Sequence, residues 1–383
     1  MTKYKGLNTI CTHVGEIKDT QFGGAISPIF MTSSYPFMDV DVKRYPRYFN
    51  TPNQESVAIK IAALEHAEAA MPFASGMAAI STTLLAFLQQ GDHVVFQNEI
   101  YGGAFNFVVE EFDKFGIEYT FTKGVAVTDF ESEIKENTKV IYIETPSNPL
   151  LSITDVVAVA DLAKKHGLIS MIDNTFASPV NQIPIDLGID IVLHSATKYL
   201  GGHSDICAGA VASTNENINI IFQKAKNLGG NMSDFMCYLL ERSIKTLGLR
   251  VKQHNVNALA MAEYLEDHKA IKKVYYPGLA SHPNHSIAKA QMKGFGGMLS
   301  FELNDGLDAV AFQKALTMIK PSLSLAGVES TILLPAVTSH ALMGAEARKE
   351  QGISDNLLRF SVGIEELEDI IADIEQAVDQ ITK

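Results

Sequence analysis

Residues 140–173 read VIYIETPSNPLLSITDVVAVADLAKKHGLISMID and contain one full architectural repeat. Val140–Ile143 is an unbroken apolar run, the expected signature of a strand buried on both faces. Thr154–His166 then places Val156, Val157, Val159 and Leu162 at helical spacing, with Gly167 as the C-cap. Leu168–Ile172 follows at once as a second strand and ends on Asp173. Strand, helix, strand in this order is the pattern of a crossover between parallel strands.

The same alternation extends on both sides. Short apolar runs at Val94–Phe96, Ile189–Leu193 and Gly209–Ala212 alternate with helical candidates from about Glu55 onward, which predicts an α/β fold with a mostly parallel sheet. In such sheets ligands sit beyond the carboxyl ends of the strands, so Glu144, Asp173 and the block from His194 are the residues to inspect. After Asp234 a long helical candidate runs towards His268, followed by GFGGMLSFEL and helices at Leu307–Ile319 and Glu365–Ile381. These elements predict a smaller C-terminal α+β domain. The expected division is an irregular N-terminal arm over 1–52, a large domain over 53–247 and a small domain over 248–383.

Composition narrows the function. The 383 residues carry a net charge of −13, which disfavours a non-specific grip on nucleic acid or on an anionic membrane surface. Cys11, Cys207 and Cys237 are too scattered for a disulfide framework, and the first residues lack a secretory apolar core, so a cytoplasmic protein is expected.

The sharpest chemical signal is Ser195-Ala196-Thr197-Lys198, directly after IDIVLH. A lysine at the end of a buried strand is driven towards its neutral form, and only the free amine attacks an aldehyde. Its flanking hydroxyls suit a phosphate. Asp173 closes the neighbouring run, and a lysine with a carboxylate to hold a ring nitrogen protonated is what pyridoxal phosphate requires. Ser75-Gly76-Met77 opens a helical segment and offers backbone N–H groups to an anion, and Tyr101 could stack on a ring. Taken singly, each has a plainer reading as a cap, a solvated lysine or a core tyrosine.

Taken together, ASGMAAI, YGG, ETPSNP, IDNTF, HSATKYLGGHSD and LRFSVGIE, in this order, resemble the cysteine/methionine-metabolism family of pyridoxal-phosphate enzymes, which includes cystathionine lyases, cystathionine γ-synthases and methionine γ-lyases. The resemblance covers essentially the whole chain and implies an aspartate-aminotransferase-like (fold type I) large domain. It implies that Lys198 is the Schiff-base lysine and proton carrier, that Asp173 pairs with the pyridinium, and that Tyr101 stacks on the ring. It further implies that Ser75, Gly76, Met77, Ser195 and Thr197 bind the cofactor phosphate, that Asn148 lies near the cofactor's phenolate oxygen, and that Arg359 clamps a substrate carboxylate, with Ser324 beside the substrate. Tyr45-Pro46-Arg47 matches a segment that reaches the phosphate of a neighbouring subunit, so a homo-oligomer, a dimer of dimers, is implied.

The implied reaction is carbon–sulfur cleavage of cystathionine or a related sulfur amino acid by β- or γ-elimination, with γ-replacement on an acylated homoserine as the alternative. Three departures bear on it. Gly103 stands where many methionine γ-lyases have cysteine, Ser324-Leu325-Ala326-Gly327 replaces Ser-Leu-Gly-Gly, and Leu323 stands where glutamate is frequent in enzymes that bind cystathionine's distal amino group. The segment after Tyr45-Pro46-Arg47 is one residue longer, Asn50-Thr51-Pro52-Asn53.

Other classes fare poorly. Gly202-His203-Ser204-Asp205-Ile206 lacks the second glycine of a serine-hydrolase elbow, and no G-x-G-x-x-G follows a strand. His282-Pro283-Asn284-His285 reads as a solvated loop rather than a metal site, and no metal is expected.

Overall fold

Seven short strands form the larger sheet of the computed structural model, which describes residues 4–338, 348 and 352–382. The remaining residues, at both termini and within the expected small domain, lie outside the described set. The strands are β1 (Ala69–Phe73), β2 (His93–Phe96), β3 (Glu118–Phe121), β4 (Thr138–Glu144), β5 (Ile169–Asp173), β6 (Ile191–His194) and β7 (Gly209–Ser213). Their order is β1-β7-β6-β5-β4-β2-β3. All neighbours run parallel except β7, which is antiparallel to both β1 and β6. The Gly209–Ala212 run is therefore a strand, but one that runs against the others.

The double-faced burial inferred from the apolar runs is present. Val140, Tyr142, Met171, Leu193 and Phe96 pack on one side, while Ile141, Ile143, Ile172 and Val192 join Val156, Val159 and Leu162 on the other. The crossover helix spans Val156–His166. Asp155 caps it by accepting from Ala158 N–H at 3.0 Å, and Gly167 ends it with φ +65°.

The smaller sheet, β10-β11-β12-β9-β8, contains β8 (Ile271–Tyr275), β9 (Met298–Leu303), β10 (Lys320–Pro321), β11 (Thr331–Leu333) and β12 (Leu357–Ser361). The helices expected near it begin two residues later than the sequence suggested, at Ala309 and Leu367. The first also ends early, at Ala315.

The long helix expected after Asp234 is two helices, Asp234–Ile244 and Leu247–Glu266. The break exposes the carbonyl of Ser243, and the buried Arg250 guanidinium occupies it at 3.0 Å while also donating to Tyr199 O at 2.8 Å. Leu247 and Val251 belong to the core cluster that contains Tyr199, whereas Ala258, Met261 and Leu265 belong to the core of the smaller sheet. One helix thus enters both cores.

The arm is not wholly irregular. Leu7–His13 is a helix with Ile10 and Cys11 buried, and the buried Lys60 ammonium donates to the Cys11 carbonyl at 2.8 Å. Residues 7–14 are therefore held by their own chain, where the sequence predicts an irregular arm over the whole of 1–52, because Ile10, Cys11 and Val14 pack into the adjoining core. Further along the arm Phe22, Met31, Phe37 and Met38 stay exposed at 84%, 72%, 68% and 67%.

Phe96, fully buried and in ring contact with Phe112, Phe121 and Tyr142, should cost about 3–5 kcal/mol when truncated to alanine. Asp155→Ala should remove only a cap, about 1 kcal/mol. Denaturant unfolding checks this ranking, and equal losses would contradict the packing described.

Candidate functional site

The carboxyl ends of the parallel strands converge with the start of β7 to form the site. Glu144 and Asp173 are register partners at the ends of β4 and β5, both buried. Asp173 Oδ1 accepts from Thr175 N–H at 3.0 Å. Burial raises the Asp173 pKa above the usual carboxylate range, against the pull of the Thr175 donors and the nearby His194.

Ser75 caps the helix Gly76–Phe87, its hydroxyl accepting from Ala78 N–H at 3.0 Å. A Cβ on Gly76 would lie 2.9 Å from the Cβ of Ser195, so the missing side chain is what lets this helix N-terminus press against the Ser195–Lys198 turn. That turn is pinned by Ser195 N–H donating to Thr175 Oγ1 at 2.8 Å, and by Thr197 Oγ1 accepting from Ala208 N–H at 2.9 Å. Ser75, Gly76 and Met77 thus meet the turn that carries Ser195 and Thr197, with the hydroxyls of Ser75, Ser195 and Thr197 on the two facing segments.

Lys198 Nζ donates to Ser324 Oγ at 3.4 Å. Burial, aided by the charge of Arg359, lowers its pKa from 10.5 to about 8. Arg359, buried on β12, donates to Asn148 Oδ1 at 3.1 Å and to Leu323 O at 3.3 Å, and its Nε has no partner. Leu323 itself is 70% exposed. Ala326 adopts φ +60°, the left-handed region that the glycine of Ser-Leu-Gly-Gly would enter freely, and its N–H donates to Ser361 Oγ at 2.8 Å.

Tyr101 precedes the helix Gly102–Phe115, and its N–H donates to Glu144 Oε2 at 2.6 Å. A Cβ on Gly103 would sit 2.5 Å from the Tyr101 ring and 3.2 Å from Met77 Sδ, so a side chain there would displace the ring. Tyr45 and Arg47 lie apart on the arm. Arg47 stacks against Tyr45 and Tyr48 and donates to Lys226 O at 2.5 Å.

A family profile described as Cys/Met metabolism PLP-dependent enzyme matches residues 8–379. The chain belongs to that family. It is 42% identical over 376 residues to a cystathionine gamma-lyase of Bacillus subtilis, covering 97% of this chain and 99% of the relative. It is also 42% identical over 377 residues to a cystathionine beta-lyase of Lactococcus lactis subsp. cremoris, covering 98% and 99%. The solved cystathionine gamma synthase from Xanthomonas oryzae pv. oryzae, in complex with aminoacrylate and cysteine, superposes with a TM-score of 0.94 at 39% identity, covering 99% of each chain. The fold is therefore that of the type I pyridoxal-phosphate enzymes, and the chain is a pyridoxal-phosphate-dependent transsulfuration enzyme.

The residues present fit that cofactor. Asp173 is a buried carboxylate at a strand end, the Lys198 pKa is lowered to about 8, and the helix N-terminus at Ser75–Met77 meets the Ser195–Lys198 turn through a glycine contact. His282 is buried rather than solvated, bonded within its own turn through Asn284 N–H at 3.2 Å. Among the described residues no group of three His, Cys, Asp or Glu side chains could hold a metal, and no helix is long and apolar enough to cross a membrane.

Sequence reading left Glu144 without a role and missed the buried Glu65–His194 pair at 2.5 Å entirely. The signal for the first was its place at a strand end. The second pairs residues 129 apart in the chain, so no local pattern announces it.

The lowered Lys198 pKa has a kinetic consequence. In cofactor-free enzyme the rate of covalent capture of pyridoxal phosphate should rise about tenfold per pH unit and level off above about 8, because protonation removes the attacking amine. Absorbance after rapid mixing measures it. A rise centred near the ordinary lysine value of 10.5 would show that the amine is not desolvated.

Proposed function

We propose that this enzyme cleaves the carbon–sulfur bond of cystathionine or a related sulfur amino acid by β- or γ-elimination. The observation that carries the reading is that consecutive residues tie the amine to the clamp: Lys198 Nζ donates to Ser324 Oγ while Arg359 donates to Leu323 O. A reaction at the α-carbon of an amino acid held by its carboxylate needs the amine and the clamp held by one segment in this way.

Bound pyridoxal phosphate supplies the electron sink that makes the α-proton removable. Lys198 would tether the cofactor through Nζ and would move protons between substrate carbons. Asp173 holds the proton on the ring nitrogen, and Tyr101 covers the ring face. The Ser75-Gly76-Met77 turn with Ser195 and Thr197 binds the phosphate, Arg359 orients the substrate carboxylate with Asn148 beside it, and Ser324 steadies the lysine amine between its two tasks. Leu323, exposed beside the clamp, offers no charge to a distal ammonium.

γ-Replacement on an acylated homoserine is the second reading, supported by the structural match to a cystathionine gamma synthase. Product analysis separates them. Cystathionine should give ammonia and a keto acid, with homocysteine and pyruvate reporting β-cleavage, or cysteine and 2-oxobutyrate reporting γ-cleavage. Thioether formation from acylated homoserine and a thiol, with no keto acid from cystathionine, would overturn the lyase reading.

The arm carries Tyr45 and Arg47 to a neighbouring subunit's phosphate site in this proposal, within a dimer at least and a dimer of dimers in full. The exposed Phe22, Met31, Phe37 and Met38 and the open position of Tyr45 support it. A cytoplasmic location is supported by three free cysteines, one of them exposed. Lys198→Ala should abolish covalent attachment and turnover, and Arg47→Ala should weaken cofactor binding. In mixed dimers of the two variants one site receives both defects and the other neither. Recovered activity after reassembly is the expected result, while hybrids that form yet stay as impaired as the parents would place Arg47 in its own subunit's site.

A further inference from the structure

Between the Tyr101 turn and the Asn148 turn stands a buried acid that the reaction does not use. Glu144 is 4% exposed and ends β4. Its Oε2 accepts from Tyr101 N–H at 2.6 Å, and the turn that carries Asn148 leaves the strand directly after it. The main chain at Glu144 is locked in turn: its carbonyl accepts from Gln97 Nε2 at 2.8 Å, and Gln97 Oε1 accepts from Thr154 Oγ1 at 2.8 Å. Ser147, beside Asn148, donates to Glu99 at 2.6 Å, and Gln97 Nε2 also donates to Glu99 O at 3.0 Å.

We propose that Glu144 is a positioning residue whose buried carboxyl group fastens the Tyr101 turn to the strand end from which the Asn148 turn leaves, so that the ring-covering face and the Asn148–Arg359 carboxylate clamp are set together. The inference rests on the roles proposed above for Tyr101, Asn148 and Arg359. Two features support it. The Tyr101 carbonyl is already spent on the helix, accepting from Phe105 N–H at 3.0 Å, so its N–H is the tie of this residue's backbone to the sheet. Asn148 holds Arg359 Nη1 at 3.1 Å, which links its turn to the substrate side.

The carboxyl group acts as an acceptor and not as a charge. It lies beside Asp173 on the same face of adjacent strands, and a second buried anion there would oppose the one that the ring nitrogen requires. Burial and the Asp173 charge push Glu144 well above the usual carboxylate range, which favours the neutral acid. Glutamine, which keeps the acceptor oxygen and the length, should therefore substitute, and alanine should not.

The experiment compares full-length wild type, Glu144→Gln, Glu144→Ala and Tyr101→Ala. It measures the dissociation constant of pyridoxal phosphate from cofactor-free protein and the visible circular dichroism of loaded protein, with far-ultraviolet dichroism checking the fold. Glu144→Ala should bind the cofactor about tenfold to a hundredfold more weakly, change the visible dichroism in the same sense as Tyr101→Ala, and raise KM. Glu144→Gln should keep cofactor affinity within about threefold and keep the wild-type dichroism. Wild-type affinity and dichroism in Glu144→Ala, or a Glu144→Gln variant as damaged as the alanine one, would overturn the inference. Should Glu144→Ala not fold, Glu144→Asp withdraws the acceptor by one methylene, and wild-type behaviour in it overturns the inference equally. Unchanged dichroism in Tyr101→Ala would instead defeat the assigned role of Tyr101, a failure distinct from that of Glu144.

Discussion

Register in the parallel ladder through β4, β5 and β6 decides where the charged groups of the interior can stand. Both faces of these strands are apolar, so a polar side chain is tolerated only where a strand ends. Pairing Glu144 with Asp173, and Asp173 with Leu193, brings those ends level. The turns that follow, at Thr145–Pro149, Asn174–Phe176 and Ser195–Lys198, then share one rim. A slip of one residue would turn Asp173 to the opposite face and empty the site of its carboxylate.

Desolvation acts on Lys198, Arg359, Asp173 and Glu144 at that rim, and in each case it works against the charged form. It lowers Lys198 to about 8 and Arg359 to about 10, and it raises Asp173 and Glu144. For Lys198 the result is a nucleophile available near neutral pH. For Asp173 it is an unsatisfied demand for a cation, moderated by the Thr175 donors and by His194 behind it, which is itself joined to the buried Glu65 at 2.5 Å. Unpaired groups of this kind destabilise a fold, and they are retained where a ligand supplies the missing partner.

The arm shows the same economy at the scale of the chain. Its first helix closes on its own body through Lys60 and the Cys11 carbonyl, whereas the following stretch leaves large apolar side chains in water. Within one chain that arrangement is unfavourable, because the exposed apolar area gains nothing from burial.

The sequence by itself determined the strands of the doubly buried ladder and the crossover that becomes the helix Val156–His166, because each is written in local periodicity, and it marked Lys198 and Asp173 as candidates through residue type at a strand end. It missed β1, Ala69–Phe73, which has no β-branched residue and includes Pro72, and β3, a partly exposed edge of four residues without an apolar run. Only the tertiary structure decided the reversed direction of β7, the break at residues 245–246 that Arg250 stabilises, the ring contact that keeps Gly103 free of a side chain, and the place of Glu144 between two turns. Each of these depends on atoms from segments that meet only once the chain has folded, and such meetings leave no periodicity in the residues that take part.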